Sequence, residues 1–342
     1  MRSILLVLLA FVIGVLLTLA IGGKSLQLAL NHSLAPPSGA LTLGGEPAPT
    51  SSMDDGTAAD TDSDWPSTGP SPEQVLYAQP RMVRDALARL TPRVPGTPNL
   101  YVLAFAGDGS EDVFRNEVEY AGVLFARRFG ATTHTVILEN NPASLFTHPL
   151  ASWSNLDATL DGLAQIMHPE QDILLLYITT HGGEDHNLLI DMDPLPLDQI
   201  GTNDLAGILG QHPFKWKVVV INACYSGGFI PPLRGAGTLV LTSARTDRSS
   251  FGCGSASDIT YFGKAWLVDG LNRTPRFIEA FQQASQEIAS WERQGNLTAS
   301  EPQLSVGSGI AAQLALWRKG ITPGPVVPFK PAAPRNAGMV AR

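Results

Sequence analysis

Cysteine is scarce in this sequence, and its scarcity excludes one class of fold. The 342 residues include only Cys224 and Cys253, too few for the disulfide framework of a small secreted domain. The two could pair, but a disulfide between them would consume both thiols. A chain without a structural disulfide is compatible with a thiol that is kept free for chemistry.

Clusters of basic residues are also missing. Lysine and arginine number 23 against 31 acidic residues, and the formal net charge is −8. Five of the acids lie in the segment "MDDGTAADTDSD", so the rest of the chain is closer to neutral. We therefore expect no nucleic-acid partner. No set of His, Cys, Asp and Glu has a recognisable ligand spacing, so we expect no metal and no other cofactor.

The most apolar long run of the sequence lies at its N-terminus. Residues from Ile4 to Gly23 carry no charge, which is enough to span a bilayer as a helix. The run is longer than the apolar core of a cleaved signal peptide, although "TLA" and "LAL" offer weak cleavage sites. We favour an uncleaved signal anchor over residues 1–24. Arg2 precedes the run, so the remainder is expected outside the cytoplasm, in the periplasm if the source is bacterial.

Composition divides the remainder of the chain. Residues 25–72 are rich in Pro, Gly, Ser, Thr, Ala and Asp, which predicts a disordered linker. Residues 73–99 are expected to form a helical lead-in, residues 100–320 a globular domain, and residues 321–342 a disordered, Pro-rich tail.

Within the globular part, short continuous apolar runs alternate with helical periods. "NLYVLAFAG", "THTVILEN", "DILLLYITTHGG", "KWKVVVINAC", "TLVLTSART" and "PQLSVGSG" are predicted strands. Helices are expected between them, one beginning at Ser154 and one with Thr274 as N-cap and Pro275 as its first residue. This alternation predicts an α/β fold with a mainly parallel six-stranded sheet covered on both faces.

Two of these strands end in the same arrangement. In "YITTHGG" and "INACYSGG" an apolar strand is followed by a reactive side chain, His181 or Cys224, and then by glycines. Parallel strand ends emerge at one edge of a sheet, so imidazole and thiol are expected to lie within reach. That pairing suits nucleophilic attack on an acyl carbon. Singly, Cys224 could be inert packing and His181 a polar residue bonded to a loop carbonyl.

In this order the two motifs resemble those of the legumain family of cysteine peptidases, peptidase family C13. That family includes the catalytic subunit of the GPI transamidase and is more distantly related to caspases. The resemblance extends upstream to "AGDGSEDVFRNEV" and downstream to "TSARTDRSSFGCG" and "TYFGKAW", and it covers residues 100–320. It implies a three-layer, caspase-like sandwich and an endopeptidase that acts on peptides or proteins.

The resemblance also implies roles for individual residues. Cys224 matches the nucleophile and His181 the general acid and base. The backbone N–H of Gly182, with or without that of Cys224, would form the oxyanion hole. Arg115 stands where a pocket arginine faces the P1 side chain, and Ser250 where a pocket serine stands.

Departures from the family pattern concern specificity. Asn222 replaces an acid two residues before the nucleophile, Lys264 stands at the place of a second acid, and Val113 replaces the asparagine that orients the histidine. A lone guanidinium at Arg115 should hold a carboxylate. We therefore expect Asp at P1, with Asn second.

Three functions remain open at this point. The leading one is a membrane-anchored, single-pass cysteine endopeptidase. A transpeptidase would use the same dyad, with an amine in place of water. A catalytically weak, anchored binding module would keep the fold without efficient chemistry.

Overall fold

The structure is a computed structural model that describes residues 65–66 and 69–332. The predicted signal anchor, most of the predicted linker and the last residues of the predicted tail lie outside the described residues. No helix in the described part combines the length and the apolar character needed to cross a bilayer.

Six strands form one central sheet. In chain order they are β1 (Leu100–Ala106), β2 (Thr133–Glu139), β3 (Ile173–Thr179), β6 (Trp216–Asn222), β7 (Thr238–Thr242) and β8 (Gln303–Val306). Their order across the sheet is β2-β1-β3-β6-β7-β8. All neighbours are parallel except β8, which is antiparallel to β7. The prediction of a mainly parallel six-stranded sheet is confirmed.

A second, two-stranded antiparallel sheet was not predicted. It joins β4 (Asn187–Leu188) to β5 (Ile200–Gly201) in the connection that follows β3. Strands of two residues are too short to give an alternating pattern in the sequence.

Helices connect and cover the strands. They are α1 (Pro72–Ala88), α2 (Asp112–Phe129), α3 (Trp153–Ile166), α4 (Thr202–Gln211), α5 (Ile230–Leu233), α6 (Leu271–Arg273), α7 (Phe277–Gln294) and α8 (Ile310–Lys319). Two 3₁₀ turns, Gly130–Thr132 and Ser226–Phe229, and a π-helical segment, Gly263–Gly270, complete the order.

The sheet lies between two helical layers because successive side chains of a strand point to opposite faces. In β1, Leu100, Val102 and Ala104 belong to a core shared with α2, α7 and α8. Tyr101 and Leu103 belong to a second core, shared with α1, α3 and α4. Strands buried on both faces need continuous apolar runs, which is what the sequence shows.

Two helix starts differ from the prediction. The α3 helix begins at Trp153, not at Ser154, because the Ser152 hydroxyl accepts the N–H of Asn155 at 3.3 Å and caps the helix. The α7 helix begins at Phe277. The Thr274 hydroxyl accepts the N–H of Arg276 at 3.2 Å, a contact two residues on that closes a turn ahead of the helix.

Residues 321–332, which the sequence places in a disordered tail, instead lie on the domain. Val327 is buried, and its carbonyl accepts the hydroxyl of Tyr120 at 2.8 Å. The side-chain amide of Asn272 bonds both backbone groups of Val327, at 3.0 Å and 2.8 Å. Composition alone could not reveal this segment's attachment, because the partners are distant in sequence.

Candidate active site

Three neighbouring strands are each followed, the same number of residues beyond the end of the strand, by a side chain that could take part in catalysis. The β1 strand ends at Ala106, β3 at Thr179 and β6 at Asn222, and these three residues are paired across the sheet. Two positions further along each chain segment stand Asp108, His181 and Cys224. The carboxyl edge of the sheet therefore presents an acid, an imidazole and a thiol on adjacent strands, in that order.

Direct backbone contact joins the loops that carry His181 and Cys224. The N–H of Thr180 donates to the carbonyl of Asn222 at 3.2 Å. Next to His181, Gly182 lies so close to the carbonyl oxygen of Cys224 that no Cβ would fit there. Only glycine fits at position 182, because the two loops approach each other so closely there.

The Cys224 thiol contacts three groups of Ser250. Sγ accepts the N–H of Ser250 at 3.3 Å, donates to the carbonyl oxygen of Ser250 at 3.6 Å, and lies 3.7 Å from the Ser250 hydroxyl. Cys253 is the first cause that lowers the pKa of Cys224 to about 5, against the opposing effect of burial. A lowered pKa favours the thiolate, which is the reactive form of cysteine.

His181 is held by an acid that sequence reasoning missed. Nε2 of His181 lies 3.5 Å from Oδ2 of Asp108. The edge of the imidazole packs on the ring of Phe114, with the centroids 5.1 Å apart. The other oxygen of Asp108 accepts the N–H and the hydroxyl of Ser110. Asp108 is buried. Like His181, it stands two residues after the end of a strand and directly before a glycine, which is the signal that could have identified it.

Asn222 lies within a buried polar cluster below this edge. Its amide donates to Glu117 at 2.8 Å and to the hydroxyl of Thr260 at 2.9 Å. The same glutamate accepts the hydroxyl of Tyr177 and both the N–H and the hydroxyl of Thr260. Asn222 is only 2% exposed, so its role in the structure is to tie β6 to α2 and to the segment before the π-helix.

Arg115 is placed away from Asn222. Two positions along a helix correspond to about 200° of rotation, so Arg115 and Glu117 point to opposite sides of α2. Nε of Arg115 lies 2.9 Å from Glu119 and 3.7 Å from Glu139. The expectation of a lone guanidinium with few acids nearby is therefore wrong. Glu139 ends β2, and Glu119 is one helical turn from Arg115, so the pairing follows from the fold.

One group of side chains has the composition of a metal site. Ligand atoms of Glu119, Glu139 and His148 all lie within 4.8 Å of one another. Arg115 already supplies positive charge beside the two carboxylates. Glu139 is buried, and neither of its side-chain oxygens makes a hydrogen bond; we assign no metal to the cluster.

A second histidine also contacts the loop after the nucleophile. His186 has Nδ1 3.1 Å from the carbonyl oxygen of Tyr225 and Nε2 3.2 Å from the hydroxyl of Thr246. Its backbone has a φ of 58°. Nothing in the local sequence indicates these contacts.

The described residues thus form an α/β domain with a thiolate, an imidazole and a carboxylate at one sheet edge. Residues 155–313, a little under half of the chain, match the model of the Peptidase C13 family. The matched segment, which includes His181, Gly182, Asn222, Cys224 and Ser250, is similar to that family. No curated protein matches the chain significantly. Asp108 and Arg115 precede the matched segment.

Proposed function

We propose that this protein is a cysteine endopeptidase in which Cys224 is the nucleophile and His181 the general acid and base. The observation that carries the proposal is the placement of Asp108, His181 and Cys224 two residues beyond the ends of three adjacent strands. Peptide hydrolysis needs an ionised thiol and a proton carrier beside it, and the fold provides both at one edge.

Asp108 takes the place of the missing orienting asparagine. Nε2 of His181 is the ring nitrogen beside Asp108, at 3.5 Å from Oδ2, which leaves Nδ1 to exchange a proton with the substrate. The carboxylate fixes the tautomer and stabilises the imidazolium that forms during the reaction. Val113, at the place of the family's asparagine, is buried and cannot supply a hydrogen bond through its side chain.

The reaction then proceeds through an acyl-enzyme. The thiol proton of Cys224 passes to His181, the thiolate attacks the scissile carbonyl carbon, and the negative charge moves to the carbonyl oxygen. Collapse of this intermediate expels the amine, which takes a proton from His181. Water, deprotonated by His181, then releases the acid and the thiolate.

Gly182 is suited to donate to the oxyanion. Gly182 and Leu188 form an antiparallel bridge whose hydrogen bonds use the N–H groups of Gly183 and Leu189. The bridge therefore does not use the N–H of Gly182, and the side of Gly182 where a Cβ would stand faces the nucleophile's own carbonyl. Loss of one such donor costs about 10²–10³ in rate.

For specificity, we propose Asn or Asp at P1 and revise the expected order. Arg115 follows Phe114, which contacts His181, and it is flanked by Glu119 and Glu139. A guanidinium beside carboxylates offers both donors and acceptors, which match the oxygen and the NH₂ of an amide. Asn is therefore the preferred P1 residue, and Asp, whose charge the glutamates repel, is second.

Membrane anchoring is part of the same proposal. The uncharged run from Ile4 to Gly23 and the preceding Arg2 support a single-pass anchor with the catalytic domain outside the cytoplasm. Fractionation of cells that express the full chain, or the chain from residue 25 onward, tests it. Recovery of both forms in the same soluble fraction would refute the anchor.

The activity test uses the full-length, reduced protein on fluorogenic peptides that differ only at P1, with Asn, Asp, Arg or Ala. Cleavage after Asn and Asp that is lost in Cys224→Ala supports the proposal. A Glu119→Gln variant should raise the ratio of Asp to Asn cleavage, because it removes one negative charge beside Arg115. A folded protein that cleaves no peptide, or equal cleavage by Cys224→Ala, would overturn the assignment.

A further inference from the structure

We propose that His186 is a positioning residue for the hydrolysis, which acts by holding the loop that carries Cys224 against the loop that carries His181. The inference rests on the proposed function, because it concerns the placement of the nucleophile relative to the general acid and base. The mechanism above makes no use of His186, so its contacts need an explanation of their own.

The residue after the nucleophile has an uncommon backbone conformation. Tyr225 has a φ of 57° and a ψ of 15°, in the left-handed region, which residues with a Cβ rarely adopt. Such a conformation persists only where the surrounding structure holds it. The chain turns there from β6 into the 3₁₀ turn Ser226–Phe229. The direction of this turn, and with it the placement of Cys224, therefore depends on the contacts that hold Tyr225.

His186 supplies one of these contacts. Nδ1 of His186 lies 3.1 Å from the carbonyl oxygen of Tyr225. A carbonyl oxygen can only accept, so Nδ1 must carry a hydrogen and act as the donor. In the neutral ring Nε2 is then the acceptor for the hydroxyl of Thr246, at 3.2 Å. One imidazole therefore joins the loop after β6 to the loop after β7.

The two partners of this contact share the same rare conformation. Four non-glycine residues in the described part of the chain have a positive φ, and His186, at 58°, and Tyr225 are two of them. The His186 ring also lies so close to Gly228 that a Cβ there would stand 2.5 Å from its Cγ. Backbone strain tends to be kept where geometry is part of the function. The pairing of two strained residues therefore favours a functional role for their contact.

His186 belongs to the same loop as the proposed general acid and base. The N–H of His186 closes a turn that begins two residues after His181. From this turn, Glu184 accepts the hydroxyl of Tyr225 at 3.1 Å. The loop after β3 thus contacts Tyr225 twice, at its carbonyl and at its hydroxyl. Because Tyr225 follows Cys224 directly, these bonds link the position of the thiol to that of the His181 imidazole.

Other hydrogen bonds hold the backbone of Tyr225 but do not replace His186. The N–H of Tyr225 donates to the carbonyl of Arg248 at 2.7 Å, and its carbonyl also accepts the N–H of Gly228 at 3.2 Å. Neither bond comes from the loop after β3. Without the His186 imidazole, the Tyr225 carbonyl therefore loses its hydrogen bond to the loop that carries the general acid and base.

Small displacements of a nucleophile have large effects on rate. A misplacement of about 1 Å can cost about 10²-fold, because the reacting atoms must meet at the right distance and angle. We expect kcat to fall by about 10-fold or more in His186→Ala. KM should change little, because His186 contacts no substrate in the proposed mechanism. The rate of Cys224 alkylation by iodoacetamide should stay near the wild-type rate, since the bond from the N–H of Ser250 to the thiol remains.

The test compares three substitutions of His186 in the full-length, reduced protein. The side-chain amide of Asn reaches about as far as Nδ1, and Asn tolerates a positive φ, so His186→Asn should recover most of the kcat that His186→Ala loses. His186→Gln carries its amide at the distance of Nε2 and should recover little. Exposed His168, which precedes the start of β3, provides the control, and His168→Ala should leave kcat and the alkylation rate unchanged. Steady-state kinetics on the preferred peptide, iodoacetamide labelling and thermal unfolding are measured for each variant.

The outcomes separate the positioning role from the proposed function. A wild-type protein that cleaves no peptide refutes both. With an active wild type, an unchanged kcat in His186→Ala, an equal kcat in His186→Asn and His186→Gln, or an effect confined to KM refutes the positioning role alone. A loss of kcat matched by an equal loss in the rate of Cys224 alkylation also refutes it, because the effect would then lie in the reactivity of the thiol. If His186→Ala does not fold, the comparison of His186→Asn with His186→Gln decides.

Discussion

The carboxylate of Asp108 lies 3.5 Å from Nε2 of His181, and both residues stand two positions beyond the ends of paired strands. Oδ1 of Asp108 accepts hydrogen bonds from the N–H and the hydroxyl of Ser110. The orientation of the carboxylate therefore does not depend on the histidine. A preorganised acceptor of this kind selects one tautomer and one ring orientation. We regard Asp108 as a positioning residue, since it acts through His181.

Replacement of Asp108 by asparagine should lower kcat by about 10²-fold, the lower end of what a positioned acid–base group contributes. KM should change little, because Asp108 does not contact the substrate in the proposed mechanism. The Asn side chain keeps the size and can still accept from Ser110, so the fold should be preserved. Steady-state kinetics on the preferred peptide measure the split between kcat and KM.

The matched control is Asp191→Asn, which removes a second acid beside the first. Asp191 forms a backbone bridge with Asp108, and burial followed by the charge of Asp108 raises its pKa. It has no assigned contact with the imidazole, so a near-wild-type kcat is expected. Equal losses in both variants would mean that total charge, and not the position of Asp108, determines the rate.

The positions of the strand ends are the part of this site that the sequence could predict. Continuous apolar runs are a direct consequence of burial on both faces of a parallel sheet, and they locate the ends at which His181 and Cys224 emerge. Asp108 follows the same rule, but a carboxylate after "AFAG" was interpreted as part of a loop motif. Its distance from His181 depends on β1 being the neighbour of β3, which no local pattern specifies.

Side-chain partners from distant segments could not be predicted in the same way. Arg115 was expected to be a lone cation because the acids at the family's positions were absent. Its actual partners, Glu119 and Glu139, come from the next helical turn and from the end of β2. The effect of Cys253 on the pKa of Cys224 likewise could not be predicted from a count of two cysteines.

The rate at which Cys224 reacts with an alkylating agent should depend on pH as expected for a thiol of low pKa. Its pKa is lowered to about 5, with the hydrogen bond from Cys253 as the first cause. The thiolate fraction is therefore full at neutral pH and falls as the pH drops through about 5. The rate of alkylation of Cys224 by iodoacetamide, followed by peptide mapping from pH 4 to 9, measures this directly.

Two substitutions at Cys253 separate the hydrogen bond from the shape of the side chain. Cys253→Ala removes the donor, so the midpoint of Cys224 alkylation should move upward, toward the ordinary value of about 8.5 for a free cysteine. Cys253→Ser keeps a hydrogen-bond donor, so the midpoint of Cys224 alkylation should move less. A midpoint that is the same in all three proteins would exclude Cys253 as the main cause.

Glu117 should be important for stability because it is buried and accepts four hydrogen bonds, from Tyr177, Asn222 and Thr260. Glu117→Ala leaves these donors without their acceptor, at about 1–3 kcal/mol for each buried unsatisfied group. We expect the free energy of unfolding to fall by about 3 kcal/mol or more, measured by urea denaturation. Glu117→Gln keeps one carbonyl oxygen as an acceptor and should lower the free energy of unfolding by less.

An exposed acid provides the control for that measurement. Asp85 is exposed on α1, and Asp85→Ala should change the free energy of unfolding by no more than about 0.5 kcal/mol. If Glu117→Ala lowered the free energy of unfolding as little as Asp85→Ala, the polar cluster below the site would contribute little to stability. Asn222 would then be available for another role.

Gly182 offers the sharpest test of the loop contact at the catalytic edge. In Gly182→Ala the new Cβ would meet the carbonyl oxygen of Cys224, a backbone atom that can yield only if the two loops separate. The N–H of Gly182 would then leave the oxyanion, and kcat/KM should fall by about 10²-fold or more. In Gly183→Ala the Cβ meets a side-chain oxygen of Asp185, which can rotate away, so a smaller loss is expected. Comparable kcat/KM values for the two variants, with equal thermal stability, would show that the contact between Gly182 and Cys224 does not position the oxyanion donor.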